Sequence, residues 1–135
     1  MTERITCDAS VLVAVLVDGG PAGQWATSVL NQSSGLLAPH LALFEAANIL
    51  RRHELAGLIT PDQAAQAHAD LLDLPMDLWP YEILAPRAWQ LRGNLSTYDG
   101  SYVALAEMTK TTLATLDARI ARAPGVTCVI AGPPP

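Results

Sequence analysis

Four carboxylates stand inside or against stretches whose apolar character marks them as core. Asp8 lies between Ile5-Thr6-Cys7 and Val11-Leu12-Val13, and Glu45 interrupts Leu41-Ala42-Leu43-Phe44 and Ala46-Ala47. Asp99 opens onto Tyr102-Val103-Ala104-Leu105-Ala106, and Asp117 closes Leu113-Ala114-Thr115-Leu116. Acids are almost never fully buried alone, because a carboxylate taken out of water must regain its lost hydration from hydrogen bonds or a counter-charge. Acids placed this way predict one shared, cation-filled cavity. Clustered carboxylates would otherwise be driven to take up protons, whereas a divalent cation restores their ionised form. Oxygen donors with few nitrogens or thiols favour magnesium or manganese over zinc. Such a site suits phosphodiester cleavage, in which a bound metal activates water and neutralises charge on the phosphate.

Taken singly, three of these acids have a plainer reading. Asp8 and Asp117 each stand between a strand and a helix, where an N-cap is worth about 0.5–2 kcal/mol. Asp99 fits the third residue of a capping box begun by Ser96. Glu45 resists this treatment, since it lies about two turns inside its helix, on the face of Leu41, Asn48 and Ile49, beyond reach of a cap. Its plain alternatives are an ion pair with Arg52 further along that face or a partly exposed position at the rim.

The elements that must position these acids alternate between strand and helix. Residues 3–7 read as a strand, Val11–Val17 as a buried helix closed by Asp18-Gly19-Gly20, and 21–31 as a helix with Pro21 in its first turn. Leu36-Leu37-Ala38 reads as a short parallel strand, and Pro39 begins a helix running to about residue 56, stopped by Gly57. Thr60-Pro61-Asp62-Gln63 starts another helix, which continues to Leu72 or Asp73. Pro-broken 75–84 holds an edge strand around Tyr81–Leu84, Pro86–Arg92 forms a helix, and Ser96 or Thr97 caps a helix through Lys110. Thr111–Leu116 and Thr127–Ile130 are the last strands, with a helix at Ala118–Ala123 between them. The expected fold class is α/β: a three-layer α/β/α sandwich with a short, mostly parallel five-stranded sheet. Sheets of this kind bind ligands at the carboxyl ends of their strands, where Asp8 and Asp117 fall.

Length and composition agree with one domain. A chain of 135 residues, 50% of them hydrophobic, supports a single core over residues 1–131, with a disordered Pro-rich tail at 132–135. No apolar run approaches the roughly 20 residues that span a bilayer, and Met1-Thr2-Glu3-Arg4 lacks signal-peptide order, so no membrane contact and a cytoplasmic location are expected. Cys7 and Cys128 form no Cys-x-x-Cys spacing and read as free thiols. The net charge of −5 argues against coating nucleic acid by bulk electrostatics, although Arg51-Arg52 and the pair Arg119 and Arg122 could border a site locally. His40, His53 and His68 show no metal-ligand spacing, no phosphate-cradling glycine loop exists, and Ser10, Ser28 and Ser101 sit in no nucleophile elbow. Trp25, Trp79 and Trp89 read as core or interface anchors. A receiver-like domain that phosphorylates Asp8 is permitted by position, but Lys110 precedes the final acid-bearing strand instead of following it.

Together these pieces resemble the PIN-domain endoribonucleases, specifically the VapC-type toxins of prokaryotic toxin–antitoxin pairs. The likeness runs from Ile5 to about Ile130. It is carried by Cys7-Asp8-Ala9-Ser10-Val11, by Phe44-Glu45-Ala46-Ala47-Asn48, by the segment Tyr98–Glu107, and by Leu113-Ala114-Thr115-Leu116-Asp117. The resemblance implies that Asp8, Glu45, Asp99 and Asp117 form a catalytic, metal-binding quartet, supported by Ser10, Asn48 and Thr115. It implies magnesium- or manganese-dependent hydrolysis of single-stranded or loop RNA, a homodimer, and a cognate antitoxin partner. Gly100 and Cys7 stand where Ala and a branched aliphatic are more usual. The alternative carried forward is a catalytically inactive module of this fold that acts through its partner protein.

Overall fold

The computed structural model describes residues 3–135. Its five strands, β1 (Arg4–Cys7), β2 (Gly35–Pro39), β3 (Met76–Trp79), β4 (Thr112–Ala114) and β5 (Ile130–Ala131), form one sheet in the order β3-β2-β1-β4-β5. Every pairing is parallel, with Ile5 opposite both Leu36 and Thr112. Around the sheet lie α1 (Ala9–Val17), α2 (Pro21–Gln32), α3 (Leu41–Leu55), α4 (Pro61–Asp73), α5 (Tyr81–Gln90), α6 (Thr97–Thr109) and α7 (Ala118–Arg122). Helices α1 to α4 pack on one another, while α5 and α6 pair and α6 lies along β1, β2 and β4. This is the expected α/β/α sandwich.

A parallel sheet covered on both faces must bury almost all of its central strands. Accordingly Thr6, Cys7, Leu37, Ala38, Leu113 and Ala114 are buried, and α1 and α6 supply Val11, Leu12, Tyr102, Val103 and Leu105. Each large apolar side chain so placed contributes about 1.5–3 kcal/mol. Thr6 is tolerated because its hydroxyl lies 2.7 Å from that of Thr111, which in turn is 3.0 Å from the Thr109 hydroxyl. Small residues permit close approach elsewhere. A Cβ on Gly23 would stand 1.7 Å from the Asp18 carbonyl oxygen, so α2 can fold back on the end of α1 only with glycine there.

Several boundaries differ from the sequence reading. The Tyr81–Leu84 strand is not formed. The edge strand is β3, which is complete by Trp79, and Pro80 at ψ 151° follows it and caps α5. Leu84 and Ala88, four apart, are both fully buried, so this segment has the burial period of a helix. Helix α5 therefore begins at Tyr81 and runs through Pro86. Helix α3 begins at Leu41 because Pro39 is still paired opposite Trp79 and the His40 amide donates to the Trp79 carbonyl at 2.9 Å. It ends near Gly57, whose φ of 75° is the left-handed turn glycine accepts without strain. Thr60 caps α4 through a full capping box with Gln63. Strand β4 ends at Ala114, short of the expected Thr111–Leu116, although the Thr115 amide still donates to the Ala131 carbonyl at 3.0 Å, and β5 starts at Ile130.

Candidate functional site at the carboxyl edge of the sheet

The ends of β1 and β4 are neighbours, and each strand hands the chain to an acid. Asp8 continues the ladder with its amide, donating to the Ala114 carbonyl at 3.2 Å, and caps α1. Its side chain is held from three directions. Ser10 donates its hydroxyl to Oδ1 at 2.5 Å, the Val11 amide donates to the same oxygen at 3.2 Å, and the Thr115 hydroxyl donates to Oδ2. With 7% of its surface exposed, Asp8 is the one buried carboxylate among the described residues. Burial pushes its carboxyl above the ordinary value of 3.8, the Ser10, Thr115 and Val11 donors pull it back in part, and the charge of Asp99 adds to the rise.

Ser10 also accepts a hydrogen bond from the Leu116 amide at 3.2 Å, and Thr115 accepts one from the Asp117 amide at 2.9 Å. The two hydroxyls thus stitch the loop after β4 to the loop after β1. Both expected supporting positions beside Asp8 are engaged. Asn48, the third, is exposed on α3 and makes no side-chain hydrogen bond among the described residues.

Glu45 comes from α3, and its partner is not Arg52. The Tyr102 phenol, on α6, donates to Glu45 Oε1 at 2.7 Å, and no ion pair forms at Glu45 among the described residues. Half-burial pushes Glu45 above its ordinary 4.5, the Tyr102 bond opposes this, and Asp99 and Asp8 add to the rise. Burial, then the bond and charge of Glu45, pushes the Tyr102 phenol far up, so it remains a donor. Sequence reasoning misses Tyr102 as a partner, although it stands three residues after Asp99, one turn along the same helix face.

Asp99 sits in the first turn of α6. Its amide is capped by the Ser96 hydroxyl at 3.1 Å, as a capping box requires, but its carboxylate makes no return bond among the described residues. Burial first, then the charge of Asp117, pushes that carboxylate above 3.8. The Ser96 hydroxyl and the charge of Arg119 pull the Asp99 carboxyl down in part. Asp117 caps the short α7 and is gripped by Arg119, which donates Nε at 3.0 Å to Oδ1 and one terminal nitrogen at 2.6 Å to Oδ2. That grip holds the Asp117 carboxyl below the usual range.

The four acids therefore share one edge and feel one another's charge, in a chain running from Asp117 through Asp99 to Glu45 and Asp8. They are linked but not drawn together. Among the described residues no three His, Cys, Asp or Glu side chains are gathered closely enough to hold an ion as they stand. No histidine side chain bonds to these acids among the described residues: His40, which follows β2, and His68 are exposed, and His53 is half-buried near the end of α3. Cys7 is a buried free thiol directly before Asp8, pushed up to about 12 by burial and then by Asp8.

Comparison with known proteins agrees with this architecture. Residues 5–126 match the PIN domain family. Ribonuclease VapC1 of Mycobacterium tuberculosis is 37% identical over 95% of this chain and 96% of its own length. Ribonuclease VapC9 of the same organism is 35% identical over 93% and 95%. Among solved structures, the VapC20 toxin of M. tuberculosis, described as cleaving the sarcin–ricin loop, superposes with a TM-score of 0.70 at 17% identity, covering 93% of this chain and 98% of that one. The VapBC2 complex of Rickettsia felis, bound to a promoter DNA fragment, gives a TM-score of 0.68 at 11% identity, covering 97% and 99%. With the family matched over nearly its whole length and the parallel sheet of that fold carrying acids at its carboxyl edge, the chain belongs to the PIN domain family.

Proposed function

We propose that this chain is the toxin of a type II toxin–antitoxin pair, a magnesium- or manganese-dependent endoribonuclease that hydrolyses phosphodiester bonds in single-stranded or loop RNA. The observation that carries the reading is the placement of the acids: Asp8 directly after β1, Asp117 in the loop after β4, and Glu45 of α3 tied by the Tyr102 phenol to α6, whose first turn carries Asp99. Helix capping accounts for Asp8 alone among the carboxylates of Asp8, Glu45 and Asp99. The curated relatives above carry the name ribonuclease, and solved neighbours include an antitoxin-bearing complex, which supports a cognate antitoxin as partner. A homodimer and a cytoplasmic location belong to the same proposal. No helix among the described residues is long and apolar enough to cross a membrane.

The donor chemistry of the edge fits a hard cation: carboxylate and hydroxyl oxygens, with no imidazole or accessible thiol. Asp8, Glu45 and Asp99 would hold it, joined by Asp117 once that carboxylate turns from Arg119. When bound, a divalent ion supplies charge neutralisation at phosphate and a more acidic water. The residues of the chain do the rest. Ser10, Thr115 and the Val11 amide fix both oxygens of Asp8, so it cannot rotate away when the site is loaded. Tyr102 holds Oε1 of Glu45 and leaves Oε2 to accept another partner. Asp99, which forms no ion pair among the described residues, presents its carboxylate from the first turn of α6. Attack in line on phosphorus needs no covalent enzyme intermediate.

Purified protein incubated with structured RNA should cleave only when Mg2+ or Mn2+ is added, and Asp8→Asn and Asp99→Asn should each abolish cleavage. Cleavage that survives both substitutions would sink the proposal. One observation favours the alternative, an inactive module acting through its partner: Asp117 is already occupied by Arg119. Calorimetric titration with Mn2+ separates the two, since a folded protein that binds no ion at any accessible concentration fits only the inactive module.

A further inference from the structure

Arg119 makes the only side-chain ion pair at the acidic edge among the described residues, and it makes it with the least buried of the four acids. Three of its contacts converge on one carboxylate: Nε to Oδ1 at 3.0 Å, Nε to Oδ2 at 3.2 Å, and a terminal nitrogen to Oδ2 at 2.6 Å. The Arg119 backbone amide adds a fourth, to Oδ1 at 3.0 Å. Both Asp117 oxygens are thereby turned along α7. A guanidinium fork matches a carboxylate in a way that an ammonium does not, so the arrangement fixes orientation as well as charge. Asp8 and Glu45, by contrast, are held by neutral donors.

We propose that Arg119 is a positioning residue that competes with a divalent cation for Asp117, holding this carboxylate out of the ion site until the ion displaces the fork. The inference rests on the metal-site reading above and deepens it. Arg119 neutralises charge at one end of the acidic chain, and loading the site would exchange one cation for another at Asp117. Because the guanidinium is exposed, screening by water keeps the competition modest, and the exchange is reversible at ordinary ion concentrations. Arg122 lies one turn further on the same helix; it adds charge but no hydrogen bond to Asp117, so it cannot replace the fork.

The test is calorimetric titration of Mn2+ into the wild type, Arg119→Ala, Arg119→Lys, Asp117→Asn and the Arg119→Ala/Asp117→Asn double variant, with circular dichroism to verify folding. Removing an exposed pair of this kind should tighten ion binding by about two- to fivefold in Arg119→Ala. Arg119→Lys, which keeps the charge and loses the fork, should fall between the two, and Arg119→Ala should have no further effect in the Asp117→Asn background. A second readout follows the Arg119 Nε–H resonance during Mg2+ titration: it should shift with the same midpoint as amides near Asp8 and Asp99. Unchanged affinity in Arg119→Ala overturns the inference. So does a gain that persists in the Asp117→Asn background while the Arg119→Lys variant matches wild type, since that is bulk charge alone. An Nε–H resonance that stays still while the site loads overturns it but leaves the metal-site reading standing. No ion binding by any folded variant overturns both.

Discussion

The hydrogen bond from Tyr102 to Glu45 joins α6, which carries Asp99, to α3, and its removal is a measurable test of how the edge is built. Tyr102→Phe deletes one oxygen from a side chain that is 1% exposed, leaving ring packing intact and opening no cavity larger than a hydroxyl. What is lost is a 2.7 Å bond to a carboxyl oxygen. Bonds to charged groups contribute about 1.5–3 kcal/mol. Two effects reduce this figure: the Phe variant no longer has to desolvate a phenol, and half-buried Glu45 can recover part of its loss from water. The expected destabilisation is about 1–2 kcal/mol, or a fall in Tm of roughly 3–8 °C for a domain of this size. Urea denaturation of metal-free protein near neutral pH, with and without Glu45→Gln, gives the coupling directly. The pair should couple by about 1 kcal/mol, because an amide is a weaker acceptor than a carboxylate. A loss below about 0.3 kcal/mol, or an equal loss in the Glu45→Gln background, would refute the claim that this bond orients Glu45.

Asp99→Asn should raise the Tm of metal-free protein, because burial and the Asp117 charge both disfavour ionised Asp99 while the Ser96 cap binds its backbone amide and survives the change; clear destabilisation would make Asp99 chiefly a structural cap. Stability without metal should also increase as pH falls through the window between the raised folded values of Asp8, Glu45 and Asp99 and their ordinary ones. Asp8, Glu45 and Asp99 have folded values raised above 3.8, 4.5 and 3.8, so the native state binds protons more tightly than the unfolded chain across that window and gains from acidification. Below it the sign reverses: Asp117 and Glu107, with lowered values, stabilise only while ionised, and that contribution disappears as pH falls through their folded values. Thermal melts across pH, run with and without Mn2+, check this, and a monotonic loss of stability as pH falls contradicts it. Gly23→Ala should cost about 1–3 kcal/mol through the clash with the Asp18 carbonyl, whereas Gly19→Ala, with open space around it, serves as a near-neutral control in the same denaturation series.

Much of this protein is legible in the order of its residues. The β1–α1 junction is readable because Asp8 follows an apolar strand and precedes an apolar helix, and the capping box at Thr60 and Gln63 is a purely local signal that the structure reproduces. The parallel sheet follows from strands alternating with helices, since short crossovers leave little other choice. Segment 75–84 misleads for an equally local reason: its prolines mark breaks without saying which side of a break is extended. Only burial of Leu84 and Ala88 against the neighbouring helix and strand decides that Tyr81 starts a helix.

At the site, the sequence by itself determined which residues carry charge where charge is costly, because burial of an acid is legible from its apolar neighbours. It could not determine what each acid leans on. Local spacing pairs Glu45 with Arg52 on its own helix, yet Glu45 meets Tyr102, 57 positions away, and Asp8 meets Thr115 across 107 positions. Such partners depend on sheet register and helix packing, which sum contributions from the whole chain. That is why the tertiary structure alone decided that Asp8 is locked by Thr115 and that Glu45 is tied to Tyr102.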